Sequence, residues 1–105
     1  MERILEIEAR IIDLLRSRGP VNAYEVMKRL KLPSYGVTGY YLVRGANRGL
    51  WKLTKVANKL VVHLPNQDPL TAVTASDVIK CLRHYAKDGE PAAKIYDYLR
   101  LCLPT

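Results

Sequence analysis

Residues 19–64 read GPVNAYEVMKRLKLPSYGVTGYYLVRGANRGLWKLTKVANKLVVHL, and this stretch decides the fold. Its first half carries the start signals of a helix. Asn22 is a good N-cap, Glu25 stands three residues on as in a capping box, and Val21 and Val26 can form a hydrophobic staple. The inward face is then Ala23, Val26, Met27 and Leu30, with Lys28, Arg29 and Lys31 outside. Leu32-Pro33-Ser34 makes a turn, because Pro33 disfavours helical geometry at Leu32 and Ser34 can cap a new helix. That helix is predicted from Tyr35 to Arg44, with Gly45 at the left-handed C′ position. Gly36 and Gly39 each cost it about 1 kcal/mol relative to alanine. Its apolar residues Val37, Tyr40, Tyr41, Leu42 and Val43 point nearly all the way round, so it is buried on several sides or offers a face to a partner. The glycines permit close backbone approach. Leu50–Val56 and Leu60–Leu64 then read as two strands joined by an Asn58-Lys59 turn, pairing Val56 with Val61, Thr54 with His63 and Leu53 with Leu64. Trp51, Leu53 and Leu64 are the expected inward anchors.

On the N-terminal side, a helix is expected from about Glu2 to Ser17. Its stripe is Ile4, Ile7, Ile11, Leu14 and Leu15, widened by Leu5 and Ile12, so it packs on two sides or against a second subunit. Gly19-Pro20 stops it. On the C-terminal side, Asn66-Gln67-Asp68-Pro69 reads as a polar linker. A helix from about Ala75 to Asp88 comes next, capped by Thr74 or Ser76, with Val78, Leu82, Tyr85 and Ala86 on one face and Gly89 at its end. Pro91 suits the first turn of a last helix with Ala92, Ile95, Tyr96, Leu99 and Cys102 inward. The expected class is mostly α with a small β-hairpin (α+β). Residues 1–66 form the first unit, and residues 67–105 form a helical hairpin that packs on it or makes a dimer interface.

Charge is segregated. Residues 1–20 and 65–105 each balance, whereas residues 21–64 hold Lys28, Arg29, Lys31, Arg44, Arg48, Lys52, Lys55 and Lys59 against Glu25 alone, the whole net charge of +7. Such a concentration draws polyanions to one region, although lysine and arginine also populate ordinary solvated faces. At 105 residues the chain has room for one modest core. No apolar run is long enough to span a bilayer and nothing resembles a signal peptide, which points to a cytoplasmic protein without a membrane role. One glutamine, no phenylalanine and seven tyrosines hint at a thermophilic source. Cys81 and Cys102 do not make a disulfide framework and read as buried thiols, while a thermophilic origin would leave a disulfide open.

The residues NAYEVMKRLKL, PSYGVTGYYL and RGLWKL, followed by the hairpin TKVANKLVV, resemble the winged helix-turn-helix superfamily of DNA-binding proteins. The resemblance covers about 60 residues and names no subfamily. It implies that the helix after the turn enters the major groove and the hairpin wing tracks the backbone or minor groove. Ser34, Tyr35, Gly36 and Thr38 then sit at the exposed start of the recognition helix, Arg44 and Arg48 near its end, and Lys52, Lys55, Asn58 and Lys59 in the wing. No basic residue lies between Leu32 and Arg44, so the implied binding is led by phosphate contacts from Lys28, Arg29, Arg44, Arg48, Lys55 and Lys59, with Tyr35 and Thr38 nearest the bases.

The expected function is double-stranded DNA binding by a small homodimeric transcriptional regulator, with no cofactor and no catalysis. The first alternative is a winged-helix protein-interaction module or subunit of a larger assembly, contacting a protein partner through the third helix or the C-terminal hairpin. The second is RNA or single-strand binding, in which Tyr35, Tyr40 and Tyr41 stack on bases. Cys81, His84, Cys102 and His63 supply four zinc-type ligands but match no standard zinc spacing, so no metal is expected. No nucleophile elbow, phosphate loop or carboxylate cluster suggests an enzyme. Gly36-Val37-Thr38-Gly39 matches a KH-type RNA loop in four letters, without the alternating strands and helices that fold requires.

Overall fold

The charged central stretch folds its helices and strands around one indole. A computed structural model describes residues 5–86 and 93–103 of the chain. In order these are α1 (Glu6–Arg18), β1 (Val21–Asn22), α2 (Ala23–Leu30), α3 (Tyr35–Asn47), β2 (Lys52–Val56), β3 (Lys59–His63), a 3₁₀ turn (Pro69–Ala72), α4 (Ala75–Tyr85) and α5 (Ala93–Cys102). The molecule is mostly helical with one small antiparallel sheet, the α+β class read from the sequence. The expected residues Glu2, Ile4, Asp88, Gly89, Pro91 and Ala92 lie outside the described residues, as do the side chains of Ile95 and Tyr96.

The main core gathers Ile11, Leu15, Val21, Ala23, Val26, Leu30, Leu42, Trp51 and Val62, with Ile7, Ile12 and Leu14 packed against it. Ile11 and Leu15 of the α1 stripe are therefore buried within the chain, and Ile7, Ile12 and Leu14 are partly so. The start of α2 forms as expected on one side only: Asn22 Oδ1 accepts the Glu25 N–H at 2.9 Å, but the Glu25 carboxylate turns outward to Arg29. Ser34 Oγ caps α3 by accepting the Val37 N–H at 3.1 Å.

Three expectations are corrected. Gly45 does not end α3; it is buried inside the helix, which runs on to Asn47 and turns out through left-handed Gly49. Trp51 is the reason. A Cβ on Gly45 would stand 2.0 Å from its ring, and its Nε1–H donates to the Leu42 carbonyl at 2.8 Å. The hairpin turn is Ala57-Asn58 rather than Asn58-Lys59, with both residues at positive φ, so Val56 pairs with Lys59, Thr54 with Val61 and Leu53 with Val62. The two-residue slip keeps every side chain on its expected face. It is fixed by Ala57, whose buried methyl and whose N–H to the Cys102 carbonyl only a small residue can place there. The hairpin also gains a third strand: β1 pairs with β3, Val21 opposite Val62, giving the order β1-β3-β2. Two residues are too few to show a period.

As the central strand, β3 is buried on both faces, and its far face supports a second hydrophobic cluster that a one-core reading omits. Val56, Ala57, Val61, Cys81 and Cys102 are buried there, flanked by Val78, Leu82 and Tyr85. Thr74 caps α4 in a reciprocal box with Asp77, while α4 gives way to extended backbone at Ala86, short of the expected end. The two cysteines are not free thiols: Cys81 and Cys102 lie on facing helices with Cα atoms 5.9 Å apart and form a disulfide. Five buried residues make a small core, and the crosslink holds its two helices together. The stretch expected as a linker is pinned as well. Gln67 accepts the Leu64 N–H and donates to the Leu15 carbonyl, and Asp68 caps the 3₁₀ turn.

Candidate nucleic-acid interface

The residues expected to bind nucleic acid divide into those the fold leaves outside and those it uses. On α2, Lys28 and Arg29 are exposed; the Lys28 ammonium lies 5.1 Å from the Tyr24 ring centroid and Arg29 Nε is 2.9 Å from Glu25 Oε2. Lys31, also exposed, occupies the left-handed C-cap of α2. Arg44 is exposed on α3 with Nη1 3.5 Å from the Tyr40 hydroxyl. Lys52 and Lys55 are exposed on β2 and have no ion-pair partner among the described residues.

Thr38 is corrected, and Arg48 has a partner inside the chain. Thr38 is fully buried and its hydroxyl donates to the Ser34 carbonyl at 2.9 Å, so it faces the core rather than a base. Helical periodicity places it beside Leu42 and Gly45, on the side that Trp51 covers. Arg48 reaches back to α1 and pairs with Glu8, a fully buried carboxylate whose Oε1 also accepts the Leu5 N–H. The place of Arg48 could not be read from local sequence, because its partner lies forty residues away; that of Thr38 follows from the i, i+4 spacing to Leu42. Ser34 spends its hydroxyl on the cap of α3.

The hairpin tip is held by the C-terminal helices. The Tyr85 hydroxyl donates to Asn58 Oδ1 at 3.2 Å, and the Lys59 ammonium sits 2.9 Å from Asp77 Oδ1. The Thr74 backbone N–H, then Lys59, hold the Asp77 carboxyl below its ordinary pKa. The sequence signal for this clasp was the T-x-x-D spacing of Thr74 and Asp77, which predicts a cap but not its neighbour.

What remains outside is a continuous helical face. Gly36, Gly39, Tyr40, Val43, Arg44 and Asn47, with Arg48 beside them, line an open groove of about 600 Å³ along α3. Neither glycine serves the interior: a Cβ on Gly39 would meet nothing within 4 Å, and one on Gly36 only Ser34 Oγ at 3.9 Å. Tyr40 and Val43 are 60% and 49% exposed. Tyr24 joins this outer surface beside Tyr35 and was missed by sequence reasoning; an aromatic on the polar face of a good amphipathic helix was its only sign.

The zinc-type set does not gather. Its cysteines are joined to each other, and His63 is buried with Nε2 2.8 Å from Thr54 Oγ1 and Nδ1 2.9 Å from the Leu64 carbonyl. No group of three or more metal-type side chains occurs among the described residues. No helix among the described residues is long and apolar enough to cross a membrane. Comparison with known proteins gives no match to a family model, a curated protein or a solved structure.

Proposed function

We propose that the protein binds double-stranded DNA through the outer face of α3, as a winged helix-turn-helix module of a small transcriptional regulator. The observation that carries this reading is a helix face left bare at Gly36 and Gly39, at a cost of about 1 kcal/mol each, where the fold itself requires no glycine. A backbone kept open at that cost suits close approach to a partner. The partner's sign comes from charge: six of the eight basic side chains of residues 21–64 are exposed, and Glu25 is already paired with Arg29. A polyanion answers that surface. The order helix, helix-turn-helix, antiparallel hairpin supports the family resemblance. Exposed Ile79 and Leu101, 49% and 58% accessible on α4 and α5, are where a second copy would dock to give the homodimer.

Fluorescence anisotropy with labelled duplex, across a salt series, tests this. Wild type should bind with a steep salt slope, and Lys31→Gln/Lys55→Gln should flatten it by roughly 0.9 for each phosphate that a lysine no longer neutralises. Absence of binding at low salt would overturn the reading. In that case exposed Tyr40 and Val43 favour the second reading, a protein partner seated on the same face of α3.

A further inference from the structure

At the start of α3 the surface turns inward. A cleft of about 250 Å³ lies between the N-terminal ends of α2 and α3 and the tip of the hairpin, walled by Tyr24 and Tyr35 on one side and by Asn58, Lys59 and Leu60 on the other. Both tyrosines are about half exposed, at 51% and 53%. A tyrosine ordinarily buries its ring and keeps only the hydroxyl wet. Among the described residues these two rings form no ring pair, and the Lys28 ammonium lies over Tyr24. The opposite wall is held from behind. The Tyr85 hydroxyl occupies Asn58 Oδ1, which leaves the amide NH2 without a partner among the described residues. Asp77 fixes the Lys59 ammonium while the lysine side chain stays 42% exposed.

We propose that this cleft receives one unpaired nucleobase of a bound nucleic-acid strand. The tyrosine rings offer stacking, which every base accepts through its π-face. The Asn58 amide NH2 can donate to a ring nitrogen or carbonyl on the base edge, and Lys28 and Lys59 stand beside the flanking phosphates. A base inside a duplex cannot enter, because its faces are stacked and its pairing edge is used. The ligand is therefore a base outside the helix: a bulge, an end or a single strand. The inference rests on the proposed nucleic-acid reading and adds to it a demand that an intact duplex does not meet.

Anisotropy with three labelled probes separates the two: an intact duplex, the same duplex with a one-nucleotide bulge, and a single strand. Wild type should prefer the bulged duplex by about 10-fold, the scale of one stacked base. Within the Tyr24→Ala/Tyr35→Ala variant that preference should vanish, bulged and intact duplex binding equally, while the melting temperature stays near wild type because both side chains are on the surface. Equal wild-type affinity for bulged and intact duplex would overturn the cleft and leave duplex binding standing. A preference that survives the double substitution would also overturn it. Binding of single strands alone, abolished in the double variant, would support the cleft and overturn the duplex reading. Binding of none would overturn both.

Discussion

The two faces of α3 use the same residue for opposite ends. On the inner face Gly45 is a seat: the Trp51 ring lies where a Cβ would be, and Leu42 and Thr38 complete a surface with no exposure at either side chain. On the outer face Gly36 and Gly39 touch almost nothing, and the side chains between them and Asn47 stand in solvent. One helix thus holds a glycine that the fold needs and two that it does not. The difference teaches that a glycine's meaning lies in what occupies the space it leaves. Where the occupant is inside the chain, the residue is structural. Where the space is open, the proposed nucleic-acid partner would fill it.

The largest effect that tests this contrast is at Gly45. Gly45→Ala should destabilise the protein by more than about 3 kcal/mol, beyond the usual range for overpacking, because a buried indole cannot swing away. A denaturant midpoint close to wild type would mean that the seat is not tight. Next is Arg48, which the sequence places with the DNA contacts and the structure turns toward Glu8. Arg48→Ala should cost about 3 kcal/mol by leaving a buried carboxylate unpaired. If it lowered duplex affinity with unchanged stability, Arg48 would belong to the outer face after all. A smaller effect divides Lys59 from Lys55 on the hairpin. Asp77→Asn should lose about 0.5–1 kcal/mol through its cap and its ion pair with Lys59, whereas Lys55→Gln should leave stability unchanged. The Asp77 carboxyl is held below its ordinary pKa, so its contribution is complete above the unfolded value near 4 and disappears as pH falls through the folded one. Melting temperatures of wild type and Asp77→Asn should therefore converge on acidification; a gap that widened at low pH would contradict the assignment.

Much of this was legible in the residues. The caps at Asn22 and Ser34, Thr74 as one of the two caps offered for α4, the inward face of α2, that of α1 at Ile11 and Leu15, and the anchor Trp51 all come from local chemistry and periodicity, and the structure places them as read. What was hidden depends on contacts distant in sequence. Gly45 resembled a helix terminator because its neighbour Trp51 lies beyond the helix end. Ala57 does not advertise a left-handed turn, since it needs the Cys102 carbonyl and a second core to hold it there. The same blindness affected the candidate site. Composition located the positive charge in residues 21–64, yet it could not tell the exposed Lys55 from Lys59 clasped by Asp77, or the exposed Arg44 from Arg48 paired with Glu8.

The central claim is that the outer face of α3 is kept open for nucleic acid, and Gly39→Leu tests it most directly. The substitution fills open space and removes a poor helix former, so stability should hold or rise by about 1 kcal/mol. Duplex affinity, measured by anisotropy at low salt, should fall at least about 10-fold, equivalent to roughly 1.4 kcal/mol. A variant that is as stable as wild type and binds duplex equally well would contradict the claim.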